Sequence, residues 1–401
     1  MNRRALLQAT AALPLAAPAL AQHSNDVVRI GVLNDMSGVF QDTNGPGSVM
    51  AARMAAEDYA AQGGRARIEI VSADHQNRPD VGSAIARRWM DQEGVDAILD
   101  LPNSAVGLAV NTVLRGSRVA NLASTTATSD LTGPQCSPNT VTWVSDTYAL
   151  GRTAARAMMA QGGDTWFFLT VDYALGHTLQ RDTQAYVEAN NGRVIGSARH
   201  PLGTADFSSF LLQAQASRAK VLALAGPTPD AGNAIKQAGE FGLTRNMRIV
   251  ALLFHINDIH AIGLRAAQGL SVVEPFYWDH DERTRAFARR FAERMGGGRM
   301  PSSNQAGVYS TALAYLKALD RAGTDDARAV IPEMKRVPVD DPLFGPTVIR
   351  EDGRAVHRML LLDVKRQEES RGAWDYYRIA QVIPGEQAFR PLNEGGCPLI
   401  R

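Results

Sequence analysis

Val27-Val28-Arg29-Ile30-Gly31-Val32-Leu33-Asn34-Asp35-Met36-Ser37-Gly38 opens the first regular unit of the chain. Residues 27–33 read as a buried strand, and the small polar residues after them as a loop. Residues 49–61 then place Met50, Met54, Ala55 and Tyr59 on one helical face. A second strand is expected over 68–73, followed by a helix opened by Pro79-Asp80. Residues 97–101 give a strand, 104–114 a helix and 119–123 another strand. Such β–α alternation implies parallel strands joined by right-handed crossovers, a doubly wound sheet with helices on both faces.

After the Pro- and Gly-containing residues 131–139 the rhythm restarts. Helices are expected over 148–161, 178–190 and 230–241, and strands over 165–170, 193–198, 221–225 and 249–253. Two β/α series of similar size predict two lobes of similar architecture, without a short sequence repeat. The tail differs. Residues 282–295 and 305–322 read as long helices, the second with Val308, Ala312, Tyr315, Leu316 and Leu319 at helical spacing. Residues 347–350 and 359–364 read as a hairpin around Asp352-Gly353, and Gly296-Gly297-Gly298 as a surface turn.

Working outward, Met1 to Gln22 has a basic start (Arg3, Arg4), an apolar run over 5–20 and a small-residue exit, Ala19-Leu20-Ala21. That is the layout of a cleaved export signal. The run falls short of the roughly 20 residues a bilayer span needs, and Pro14 and Pro18 interrupt it. The paired arginines suit a twin-arginine signal, and an ordinary secretory signal fits as well. No Cys stands at the cleavage point to carry a lipid, so an exported periplasmic product cleaved near Ala21 is expected. About 380 residues would remain, enough for two domains. Lys and Arg number 42 against 41 Asp and Glu, which leaves no net field to draw nucleic acid or an anionic membrane. Cys136 and Cys397, an even pair in an exported chain, are expected to form one disulfide.

The sequence carries no phosphate-cradling loop ending in Gly-Lys-Ser/Thr. The three-glycine dinucleotide fingerprint is also missing after the first strand. It has no Gly-x-Ser-x-Gly elbow, no His-Glu-x-x-His and no Cys-x-x-Cys. His255, Asp258 and His260 come nearest to a metal set, but their spacing does not bring both imidazoles to one helix face. The expectation is therefore a non-enzyme with neither metal nor cofactor. A binding role fits better, because ligands of open parallel sheets settle beyond the carboxyl ends of the strands. Asn103-Ser104 follows one strand, so Ser104 either caps the next helix or offers its hydroxyl and amide to a carboxylate. Ser124-Thr125-Thr126-Ala127-Thr128-Ser129 follows the next strand and leaves room for a ligand.

Taken in order, Ile30-Gly31-Val32 with Ser37-Gly38, Ser104, Asp130-Leu131-Thr132, Asp172-Tyr173-Ala174-Leu175-Gly176 and Ala267-Gln268-Gly269-Leu270 carry a resemblance. Over essentially the whole mature chain, the sequence is similar to the periplasmic solute-binding proteins of ABC importers, of the branched-chain (Leu/Ile/Val) amino acid type. The resemblance implies an α/β type I periplasmic-binding fold, two Rossmann-like lobes joined by three crossovers with a ligand cleft between them. Lobe 1 would hold residues 27–146 and 276–349, and lobe 2 residues 147–275 and 350–401. Ser104 matches the family serine on the ligand carboxylate and Thr125, to within one residue, the next contact. Phe40 lies near the aromatic that covers the side chain, and Asn103 and Ser124 flank the carboxylate contacts.

Three departures stand out. Ala127 replaces a frequent Thr, Leu175 stands where a Tyr precedes the glycine, and the region of the acidic ammonium partner reads Leu253-Phe254-His255-Ile256. A buried ammonium without an anion is costly, so the departures favour an aromatic or short organic acid over an α-amino acid. Tyr173, Phe254 and His255 would line its apolar part. The implied function is a monomeric receptor presenting a small carboxylate to an inner-membrane ABC permease. A ligand-sensing module for a signalling partner is the alternative, and a secreted enzyme the third reading.

Overall fold

A computed structural model describes residues 27–400; the expected signal over residues 1–22 lies outside them. The first lobe is built in the order β1 (Val28–Asn34), α1 (Gly45–Ala61), β2 (Ile68–Asp74), α2 (Pro79–Asp91), β3 (Ala97–Asp100), α3 (Ser104–Leu114), β4 (Ala120–Leu122) and β5 (Thr140–Val141). The strands run parallel in the order β2-β1-β3-β4-β5. Strand order therefore reverses between β1 and β3, the place where such sheets open a crevice. Gly31 in β1 is required by packing: the Trp89 indole of α2 occupies the space a Cβ would take.

The second lobe follows with α4 (Thr147–Ala160), β6 (Thr165–Val171), α5 (Ala174–Ala189), β7 (Arg193–His200), α6 (Ser208–Ser217), β8 (Val221–Ala225), α7 (Thr228–Glu240), β9 (Arg248–Ala251), α8 (Ile256–Ile262), α9 (Leu264–Ala267) and β10 (Ser271–Glu274). Its parallel order is β7-β6-β8-β9, reversing between β6 and β8. The alternation read from the sequence is thus realised twice. Central strands such as β8 (VLALA) are buried throughout, as sheets covered on both faces demand.

The chain then returns to the first lobe with α10 (Glu282–Met295), α11 (Ser303–Ala322) and α12 (Ala327–Arg336). Tyr315, Leu316 and Leu319 of α11 share one hydrophobic core with Met54, Ala55 and Tyr59 of α1. Next come β11 (Val339–Asp341), β12 (Gly345–Ile349) and β13 (Ala355–Val356), and then β14 (Met359–Val364), β15 (Tyr377–Ile383) and α13 (Gly385–Ala388). The expected hairpin is corrected here. β12 turns through Asp352-Gly353 onto the two-residue β13, whereas β14 pairs antiparallel with β10 and β15 in the second lobe. The Asp-Gly turn was legible, but the strand it feeds is too short to show a pattern. Passages after β5, after β10 and between β13 and β14 make the three crossovers.

Cys136 and Cys397 form the expected disulfide. The tail does not stay with β14 and β15, because Arg390 donates to the Ser129 carbonyl at 3.0 Å and Cys397 bonds to a residue ahead of β5. The lobes also touch on both flanks of the crevice. Arg181 of α5 pairs with Asp130 at 2.9 Å, and Asn257 of α8 donates to the Asp42 carbonyl at 3.3 Å.

Candidate functional site

At the first lobe's strand reversal the backbone is strained. Asp100 and Leu101 take φ of 90° and 63°, left-handed values that residues with a side chain seldom adopt. Cross-strand bonds hold them there: Leu101 N–H donates to the Leu33 carbonyl, Thr125 N–H to the Asp100 carbonyl and the Thr126 hydroxyl to the Leu101 carbonyl. The Asp100 carboxylate is fully buried. It accepts from Asn34 Nδ2 at 2.9 Å, Asn44 Nδ2 at 2.7 Å and the Thr125 hydroxyl at 2.6 Å. Burial pushes its pKa above the usual carboxylate range, against the pull of these donors. Asn304 of α11 extends the network by donating to Asn44 Oδ1 at 2.9 Å.

This changes the reading of two candidates. Thr125 Oγ1 gives its proton to Asp100, so its side chain organises the crevice wall. Asn103 is the cap of α3: its Oδ1 accepts from Ala105 and Val106 N–H at 2.9 and 3.2 Å, and its amide nitrogen donates to Asn77. Ser104 is thereby released from capping. Its hydroxyl and that of Ser124 are buried and meet no hydrogen-bond partner among the described residues. Both residues lie beyond the carboxyl ends of adjacent strands, β3 and β4, with the positive end of α3 beside them. Phe40 is buried yet belongs to none of the hydrophobic cores; its N–H donates to Asp35 at the end of β1.

In the second lobe, Tyr173 precedes α5, and its hydroxyl is buried without a partner among the described residues. Leu175 packs into a core with Ala127, Ala149 and Leu179, and Phe254 into another with Phe207 and Leu224. The structure therefore places both in hydrophobic packing. His255 is buried at the interface with α11. Its Nδ1 lies 3.2 Å from Glu274 Oε2 and 3.1 Å from the Ser303 hydroxyl, and Tyr377 donates to Glu274 Oε1 at 2.8 Å. Burial depresses the His255 pKa, but the hydrogen bond and charge of Glu274 outweigh it and raise it overall. Asp258 turns back to accept from His255 N–H, and burial pushes it up to about 7. His260 instead stacks on Trp374 and bonds Tyr376, so the three residues weighed as a metal set do not converge.

The sequence reading passed over Asp100 and Glu274. Each closes a buried apolar run with a single carboxylate, Ala-Ile-Leu before Asp100 and Val-Val before Glu274.

The comparisons with known proteins agree with this geometry. A family model described as "Periplasmic binding protein" matches residues 27–372. A periplasmic binding protein from Burkholderia mallei is 44% identical, with a TM-score of 0.90 over 94% of this chain and 100% of its own. A branched chain amino acid ABC transporter periplasmic ligand-binding protein from Burkholderia xenovorans LB400 is 38% identical, with a TM-score of 0.82 over 93% and 100%. The fold is shared with an ABC transporter solute binding protein from Rhodopseudomonas palustris BisB5, in complex with 3,4-dihydroxy benzoic acid. That protein is 20% identical, with a TM-score of 0.79 over 90% and 98%. The curated proteins give no match. Two doubly wound lobes with a crevice where both strand orders reverse, and a family match over most of the chain, make this protein a member of the periplasmic binding proteins, of the ABC transporter type.

Proposed function

We propose that this protein is the periplasmic receptor of an ABC importer and closes its two lobes on a small carboxylate, which it delivers to an inner-membrane permease. The observation that carries the reading is the pair of buried, unpartnered hydroxyls of Ser104 and Ser124 beside the start of α3. A buried hydroxyl without a partner costs about 1–3 kcal/mol, which an anionic ligand accepting from it would recover. Ser104 and Ser124 hold the carboxylate, Asn103 and Thr125 fix the wall behind them, and Phe40, Tyr173 and His255 face the body of the ligand. Acids with an aromatic or short aliphatic body fit best: the region expected to hold an acidic ammonium partner reads Leu253-Phe254-His255-Ile256, and Glu274 is already taken up by His255, Ser303 and Tyr377, so neither meets an α-ammonium. Among the similar proteins, one is a branched chain amino acid ABC transporter ligand-binding protein and another is in complex with 3,4-dihydroxy benzoic acid, both consistent with a small carboxylate. Closure on the ligand is then a hinge motion that favours the liganded state by its differential contacts.

The test is a thermal-shift panel of L-leucine, L-phenylalanine, benzoate, 4-hydroxybenzoate and 4-methylpentanoate, with mass spectrometry of whatever co-purifies. At least one acid is expected to raise the melting temperature in a concentration-dependent way. No response to any acid, and no acid in the purified protein, would overturn the reading.

A further inference from the structure

Strand order in the second lobe reverses between β6 and β8, whose ends lead into Tyr173 and Gly226. Beside them lies a small cavity lined by Leu169, His200, Phe207, Leu224, Gly226 and Asp230, among others. Its walls are apolar apart from two acceptors. Asp230, in the first turn of α7, is 1% exposed; its Oδ2 accepts from Gly203 N–H at 3.1 Å, while Oδ1 meets no donor among the described residues. His200, 3% exposed, has Nδ1 3.0 Å from the Pro201 carbonyl. A carbonyl only accepts, so the ring proton sits on Nδ1 and Nε2 is left as an acceptor. Nε2 lies against Gly226, 3.6 Å from where a Cβ would stand.

The competing account is an ion pair internal to the lobe, and the geometry is against it. His200 Nδ1 stands 3.7 Å from Asp230 Oδ2, beyond hydrogen-bond length, with its proton committed to Pro201. Burial lowers the His200 pKa and pushes Asp230 up to about 6, so neither charge is stabilised by the other. Tyr173 leaves its buried hydroxyl unpartnered on the same side, within the field of Asp230.

We propose that Asp230 Oδ1 and His200 Nε2 form a subsite for a hydrogen-bond donor, an ammonium or a hydroxyl, that the ligand carries into the second lobe. The subsite rests on the reading of the crevice as a small-acid site and narrows it to acids with such a donor. Asp230 supplies, from the turn after β8, the acidic acceptor that residues 253–256 lack.

Calorimetry with matched pairs differing only in the donor tests it: benzoate against 4-hydroxybenzoate, and 4-methylpentanoate against L-leucine. Wild type is expected to prefer the donor-bearing member of whichever pair binds by about tenfold or more, the scale of one buried hydrogen bond. Asp230→Asn, which swaps half of the carboxylate for a donor, is expected to collapse that ratio, and His200→Phe to reduce it. The second variant keeps the test open if the first fails to fold. A wild-type preference for the bare acid, a ratio insensitive to both variants, or a liganded crystal with only water against Asp230 would overturn the subsite alone. If no acid binds, the acid-receptor reading fails and the subsite falls with it.

Discussion

At the first lobe's strand reversal, Asp100 has Asn34, Asn44 and Thr125 converging on it. At the second lobe's reversal, Asp230 keeps one oxygen bare and His200 stands out of reach. The two crevice walls come from the same topology but differ in how far their polar groups satisfy one another. A saturated network fixes geometry, since each buried donor or acceptor left alone costs about 1–3 kcal/mol. The first wall thus has its carboxylate paired and leaves the Ser104 and Ser124 hydroxyls, with Asn34 Oδ1 inside the network, without partners among the described residues, while the second leaves an oxygen of its carboxylate bare. On the proposed reading, the first lobe anchors the ligand and the second discriminates among ligands.

Four measurements would break or sharpen that contrast. The broadest concerns the anchoring half, onto which the disulfide ties the tail. Replacing Cys136 and Cys397 together by Ser is expected to lower unfolding stability by up to about 5 kcal/mol, from the loop-entropy model for so long a loop. An unchanged urea midpoint would mean that the tail does not brace that lobe.

Next, Asp100→Ala strands three buried donors and should cost about 3–4 kcal/mol. A loss no larger than that of a surface substitution would show that the first wall is not the rigid one.

The third is a pH test of the second wall. Asp230 has a folded pKa of about 6, above its unfolded value near 3.8. The folded state therefore binds this proton more tightly. The associated stability is fully present below about pH 4 and is lost as pH rises through 6, a change on the order of 2–3 kcal/mol. The melting-temperature difference between wild type and Asp230→Asn should shift in favour of wild type on acidification from pH 7 to pH 4; a constant difference would show the Asp230 pKa unshifted by folding, and a shift against wild type would show Asp230 paired with a cation.

The smallest effects separate neighbours. Ser104→Ala should weaken acid binding by about 1–3 kcal/mol with little change in melting temperature. Asn103→Ala should cost about 1 kcal/mol of stability as a lost cap. Reversed outcomes would return Ser104 to a helix-capping role.

Much of the fold was legible because buried parallel strands and amphipathic helices leave strong periodic marks; β8 is five apolar residues in a row. The unread elements include the two-residue β13, β15, whose alternation is blurred by Arg378 and Gln381, and the helices α6 and α12; α12 buries Ala327, Val330, Ile331 and Met334 on one face, but Pro332 stands inside it and reads as a break. Candidate site residues were legible by position, at strand ends, but not by role. Asn103 and Ser104 are adjacent and both suited to capping, and only the cap geometry separated them. Leu175 and Phe254 fit an apolar lining as well as a core, and packing put them in the core.

By itself the sequence determined the two-lobed α/β architecture, the disulfide partners and the clustering of small polar residues at strand ends. These follow from local periodicity, cysteine number and composition, which need no knowledge of distant contacts. Tertiary structure alone decided which of those polar groups spend their hydrogen bonds on the protein and which keep them. Asp100 finds its donors up to 66 residues away in sequence and His255 meets Ser303 across 48, and no local pattern encodes whether a partner at that range arrives within bonding distance.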